Sequence, residues 1–271
     1  IQHYFGWRGL FVISGLIGIL WALVWYLVYR DPDSSEAETA VSQSEQLPAT
    51  ADDATDPQST FNVRNLQIAF TSRKLWGVYI AQFCLGGTQI FFLTWFPAYL
   101  EETQGLSLVK TGALASIPYL AAFTGVLLSG FLSDFLVRKG RSKEFARKAP
   151  IIMGLLLSSS VIGANYASTT SGAIFFLSLS FFGSGLASIA WVFVSLLAPR
   201  NMVGVVGGCF NFIGGLSAVV VPIMVGFLAR NGDFRPALVM ISALAVTGML
   251  SYLFIVGKVE QIQIIPRHQP D

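Results

Sequence analysis

The side chains in this chain that could meet a polar ligand are all neutral: two glutamines, a serine, an indole and an asparagine. Gln82 and Gln89 stand seven residues apart in an apolar stretch, a spacing that puts both on one face of a helix. An amide in such a stretch either bridges helices by hydrogen bonding or faces a polar substrate. Ser188 and Trp191 are three apart and therefore neighbours on a helix. A hydroxyl and an indole N–H beside an apolar ring suit a sugar-like ligand, which has hydroxyl edges and C–H faces. The competing readings are small-residue packing for Ser188 and an interfacial anchor for Trp191. Asn211 is framed by Gly204, Gly207, Gly208, Gly214 and Gly215. Glycines let another helix approach closely, so Asn211 points into protein or a cavity, where its amide both donates and accepts. There it is either helix–helix glue or a ligand contact.

Other chemistries find few residues to use. His3 and His268 stand at opposite ends and there are only two cysteines, too few for a structural zinc site. No Ser–His or Cys–His pair is expected, so the reading is of a non-enzyme with no catalytic residues, metal or cofactor. Cys84 and Cys209 read as small buried apolar residues. A net charge of +2 argues against nucleic acid as a partner. The chain opens Ile-Gln-His-Tyr with neither Met nor a basic leader, and so reads as a fragment.

The elements that must position these groups belong in lipid. Hydrophobic residues make up 54%, charged residues 12%, and mean hydropathy is +0.63, where a soluble domain carries about 25% charged residues. Crossing a bilayer takes roughly 20 apolar residues in a helix. Seven stretches qualify, at about 9–29, 76–100, 109–137, 150–167, 173–198, 203–229 and 236–256. They are too long and unbroken for barrel strands. Loops on one side carry thirteen of the seventeen Lys and Arg residues, which makes that side cytoplasmic, with the N-terminus outside and the C-terminus inside. Residues 31–60 are acidic, rich in Ser, Thr and Ala, and lack aromatics; they predict a disordered linker. The following FNVRNLQIAF, residues 61–70, reads either as the start of the next helix or as a separate interfacial helix. Pro97, Pro118 and Pro222 interrupt three segments, freeing carbonyls and permitting bends. After the third segment Gly130, Asp134, Arg138, Gly140 and Arg141 form a polar set, in which Asp134 can pair with Arg138 or Arg141 as a cytoplasmic latch.

The strings WALVWYLVYRDP, GVYIAQFCLGGTQIFFLTWFPAYL, SIPYLAAFTGVLLSGFLSDFLVRKG, FARKAPIIMGLLLS, SLSFFGSGLASIAWVFVSLLAP and GGCFNFIGGLSAVVVPIMVGFLA follow one another in an order and spacing that resembles the major facilitator superfamily. More narrowly they resemble its anion:cation symporters for sugar acids such as D-galactonate, glucarate and hexuronates. The resemblance implies an all-α integral membrane protein in which residues 1–30 are the last helix of an N-terminal half. Residues 31–72 are then the cytoplasmic linker, 73–257 the six-helix C-terminal half, and 258–271 a cytoplasmic tail. It implies sugar-acid contacts at Gln82, Ser188, Trp191 and Asn211, and a cytoplasmic gating motif at Gly130, Asp134, Arg138, Gly140 and Arg141, spaced more widely than the family's usual pattern. Two pocket positions depart from the galactonate transporters: Ala190 stands where they have Thr, and Gln89 where they have Trp.

The expected function is proton-coupled uptake of sugar acids across the bacterial inner membrane by alternating access. An organic anion needs a cation for its carboxylate, and proton coupling needs a titratable group in the membrane. Both are expected from a missing N-terminal half, the partner of these helices, so this polypeptide alone is not expected to transport. The alternative is a non-transporting membrane fragment or a structural partner of a separate N-terminal half. A further alternative, efflux of a hydrophobic cation, would need a membrane carboxylate that these segments lack.

Overall fold

In lipid a backbone must satisfy its own hydrogen bonds, and long apolar runs do so as helices. A computed structural model of the chain describes residues 2–29, 63–103, 105 and 108–262, and among these it contains helices and turns but no strand. Seven helices are long and apolar enough to cross a membrane. The acidic stretch 31–60, read as a disordered linker, lies outside the described residues, as does the tail beyond residue 262.

The chain divides into two compact units, residues 1–57 and 58–271. The described part of the first is essentially one helix, α1 (Gln2–Val28), whose regular geometry breaks at Gly6. The uninterrupted run Gly6–Val28 has 23 residues, about 35 Å of helix and enough to span the hydrocarbon core.

The second unit opens with a short amphipathic helix, α2 (Val63–Thr71). Ser72 separates it from α3 (Arg73–Thr94), so residues 63–71 form an element of their own rather than the first turns of the next span. The Trp76 indole N–H donates to Phe70 O at 2.7 Å and staples the junction. Next come α4 (Phe96–Glu102), α5 (Leu108–Arg138) and α6 (Lys143–Ser158). A 3-10 stretch, Ser159–Tyr166, continues α6. The fifth span is α7 (Thr170–Leu186), a 3-10 turn Ala187–Trp191 and α8 (Val192–Leu197). The last two are α9 (Val203–Leu228) and α10 (Arg235–Leu250), the latter finishing in a π turn, Ser251–Ile255.

Two boundaries differ from the hydropathy reading. The fourth span begins at Lys143, not near residue 150, because Ser142 caps it by accepting from Phe145 N at 3.2 Å. Glu144 then pairs with Lys148 at 2.9 Å one turn on. Hydropathy detects only the lipid-buried part of a helix that projects beyond the bilayer. The second segment is two helices meeting at Trp95, with Pro97 in the first turn of α4; a proline there lacks only an N–H that would be unpaired anyway.

Helix α7 packs between α5 and α6, and α3 packs against α9 and α10. The α7 contacts are backbone against backbone. A Cβ at Gly183 would strike Gly154 O of α6 and come within 2.6 Å of Ser158 N, and one at Gly185 would strike Ala122 O of α5. Two glycines two residues apart thus serve two neighbouring helices. At one end of the bundle Lys74 pairs with Glu260 at 3.9 Å and Lys148 donates to Gly257 O. There too Ile262 N donates to Leu197 O at 3.0 Å and Gln261 Nε2 to Ala198 O at 3.2 Å. At the other end Asn165 Nδ2 donates to Arg235 O at 3.1 Å. Successive spans of this second unit therefore run up and down, and its cation-rich ends gather together. Large apolar side chains on α5 and α9, among them Phe123, Phe131, Ile223 and Phe227, are exposed, an apolar surface of the kind that lipid or further helices cover.

Candidate functional site

Gln82, Gly86, Gln89 and Leu93 recur on α3 at steps of four and three, which makes one helical stripe. Asn211, Gly214, Gly215 and Ala218 form the matching stripe on α9. Between them lies a groove of about 370 Å³, also lined by Ile90 and Ser217 and by no charged residue. The structure brings Gln82, Gln89 and Asn211 together here although 129 residues separate Gln82 from Asn211. Gln82 is half-buried; Gln89 and Asn211 are exposed. Among the described residues none of the three amides has a hydrogen-bond partner. Amides at membrane depth without protein partners need water or a ligand, which separates them from simple helix–helix glue. The groove's small residues supply the space and its amides supply donors and acceptors.

Ser217 carries a hydroxyl into the same lining that the sequence reading missed. It donates to Gly214 O at 2.6 Å, so its hydrogen is committed to its own helix. Its signal was available, since Ser217 follows Gly214 by three residues and so neighbours it on the helix.

Ser188 and Trp191 lie on the 3-10 turn Ala187–Trp191, where a three-residue repeat stacks them on one side. Ser188 is half-buried, and Trp191 is 48% exposed. Neither is part of the groove lining, yet Trp191 leans on α9. Its ring meets Phe210 edge-on at a centroid distance of 4.9 Å, and a Cβ at Gly207 would lie 3.8 Å from it. Gly207 is one turn before Asn211, so the indole borders the turn adjoining the amide. Ala190 is buried, 3% exposed, within the core cluster that includes Phe193 and Phe210.

The polar set after the third span is built differently. Gly130, Asp134 and Arg138 fall on one face of α5 at intervals of four. Gly140, at φ 75°, ends the helix, and Gly140 N and Arg141 N donate to Val137 O and Leu136 O at 3.0 and 3.1 Å. Asp134 is exposed and, among the described residues, pairs with neither Arg138 nor Arg141. The nearby cations rest on rings instead: Lys139 over Phe135 at 4.7 Å and Arg141 over Phe145 at 5.9 Å. A second cavity, about 740 Å³, lies at the cation-rich end between Ser72, Arg73, Lys74 and residues 260–262, away from the amide groove. Among the described residues no cluster of His, Cys, Asp and Glu could hold a metal ion.

Membrane-length helices running up and down, with an uncharged, amide-lined groove between two of them, define a polytopic α-helical membrane fold. The chain belongs to the Major Facilitator Superfamily, whose description matches residues 1–222. Among curated proteins it is 43% identical to the D-galactonate transporter of Escherichia coli O6:H1, an alignment covering 97% of this chain and 62% of that one. It is 39% identical to the probable galactarate/D-glucarate transporter GudP of Bacillus subtilis, covering 100% of this chain and 61% of the relative. With the hexuronate transporter of Bacillus subtilis it shares 30% identity over 92% of this chain and 58% of the relative. The chain thus spans about three fifths of the length of its nearer curated relatives. Among solved structures, the Escherichia coli fucose:proton symporter FucP shares the fold with a TM-score of 0.57 at 15% identity, over 79% of this chain and 51% of that one.

Proposed function

We propose that this chain is the C-terminal part of a secondary active transporter for sugar acids, moving galactonate, glucarate or a similar organic anion into the cell with protons by alternating access. The observation that carries this reading is the groove between α3 and α9, where Gln82, Gln89 and Asn211 meet with no partner of their own. The names of the curated relatives supply the substrate class.

In this reading Gln82 and Asn211 hydrogen-bond the substrate's hydroxyls from opposite walls, and Gln89 extends the same stripe toward the other end of the groove. Trp191 offers its free ring face to the C–H surface of the sugar chain, with Ser188 beside it. Ala190, buried behind them, sets the packing of that turn. The substrate carboxylate needs a cation, and the groove has none. That cation and the proton-carrying group come from a second half of the transporter that closes over this one. The groups on Gly130, Asp134, Arg138, Gly140 and Arg141 lie on the cytoplasmic side and gate the inner mouth, with Asp134 free to take a partner there. The thirteen cations on one set of loops orient the bundle with its C-terminus inside.

The test is equilibrium binding and uptake of labelled D-galactonate, D-glucarate and a hexuronate by the complete transporter in proteoliposomes, with and without a pH gradient. Saturable uptake of one or more of these, raised by an inward proton gradient, is expected. Uptake of none of them, or uptake indifferent to the gradient, would overturn the corresponding part of the proposal.

A further inference from the structure

We propose that Gly214 is a positioning residue for Gln82: by lacking a side chain it reserves the space in which the Gln82 carboxamide lies across the groove. The inference rests on the reading of Gln82 as a sugar-acid contact. A Cβ placed at Gly214 would stand 3.0 Å from both Cγ and Nε2 of Gln82 and 3.4 Å from its Cδ. No atom of another helix outside Gln82 comes as near to that position. What Gly214 spares is therefore this one amide.

The other glycines of α9 do not share the role. At Gly204, Gly208 and Gly215 an added Cβ would meet nothing within 4 Å, at Gly207 it would make ordinary contacts of 3.6 Å and 3.8 Å with Val194 and Trp191, and at Gly226 it would press on the Trp95 ring at 3.2 Å, away from the amides. Withdrawal of the α9 backbone would make room only by opening its close contact with α3 at Gly86, where a Cβ would fall 2.6 Å from Ser217 Oγ and 3.1 Å from Gly214 O. The Ser217 hydroxyl is itself tied to Gly214 O at 2.6 Å. A methyl group at Gly214 is accommodated at least cost by a shift of the Gln82 side chain of a few tenths of an ångström. That movement is cheap for the fold, because rotatable side-chain bonds absorb it, but it moves the carboxamide off its position in the site. Gly183 is the contrast, for its neighbours are backbone atoms that cannot turn aside.

The experiment measures D-galactonate affinity and thermal midpoint for five forms of the complete transporter: wild type, Gln82→Ala, Gly214→Ala, and Gly214→Ala combined with either Gln82→Ala or Gln82→Asn. We expect Gly214→Ala to fold with an unchanged midpoint and to weaken binding by roughly five- to tenfold, about the loss of one hydrogen bond. In the Gln82→Ala background the same change should cost nothing further, because the displaced amide is already gone. Gln82→Asn, whose side chain is one methylene shorter, should recover part of the affinity when combined with Gly214→Ala. If Gln82→Ala weakens binding and Gly214→Ala does not, the positioning role is wrong and the site reading stands. Equal losses from Gly214→Ala in both backgrounds, or failure of that variant to fold, would also sink it. Undiminished binding by Gln82→Ala would overturn the site reading at Gln82 itself, and the positioning role with it.

Discussion

The Trp191 indole meets Phe210 edge-on, with ring centroids 4.9 Å apart and planes at 62°, while 48% of its surface stays open. Phe210 is fully buried and precedes Asn211, so the contact fixes an exposed aromatic face next to an exposed amide. A large ring held on one side and bare on the other forms a ready surface for the C–H face of a sugar chain.

Trp191→Ala in the complete transporter should weaken sugar-acid binding by roughly tenfold, the magnitude of one lost ring contact. Trp191→Phe should keep most of the affinity, since it retains a ring but not the N–H. Isothermal titration on both variants checks this. Equal affinity in wild type and Trp191→Ala would assign the residue to anchoring instead.

Asn211→Ala and Gln82→Ala should each reduce affinity by about five- to tenfold with little change in thermal midpoint. Among the described residues neither amide has a hydrogen bond to lose, and a single neutral hydrogen bond to ligand is worth about 1 kcal/mol. A marked drop in midpoint with unaltered affinity would show that these amides join helices rather than hold substrate. Wild-type uptake by either variant would remove that residue from the site.

Stability should respond most sharply at Gly183. The methyl of Gly183→Ala has no room between α7 and α6, where it would strike Gly154 O. Overpacking of this kind costs about 1–3 kcal/mol and sometimes more. Gly204→Ala, on open space, should leave the midpoint in detergent unchanged or slightly raised, because alanine is the better helix former. The two midpoints together report whether the α6–α7 approach is as close as described; equal behaviour would contradict it.

Proteoliposomes holding only these 271 residues should not accumulate D-galactonate under a pH gradient. The groove has no cation for the carboxylate, and an unpaired carboxylate at membrane depth is costly. Gradient-driven accumulation would show that these seven spans suffice for transport.

The membrane spans were legible because the bilayer leaves little choice. A run of some 20 apolar residues must fold as a helix wherever it lies in lipid, and all seven runs did so. The ends were less legible. Lys143–Ser158 begins seven residues before its apolar stretch because Ser142 and Glu144, rather than hydropathy, start it. The split at Trp95 and the 3-10 turn carrying Ser188 and Trp191 left no separate mark in hydropathy, since both sides of each break are apolar.

The candidate site was half legible in the same way. Residue type and helical spacing, which need no knowledge of neighbours, marked Gln82, Gln89, Ser188, Trp191 and Asn211 as polar groups in an apolar medium. Which of them share a space depended on how α3 meets α9, and that is decided by packing between segments 129 residues apart. Only the assembled bundle puts three amides around one groove, turns Ala190 into the core and leaves Asp134 exposed, because close helix approach depends on the shapes of both surfaces at once. Periodicity along a single chain segment describes one surface and is silent about the other.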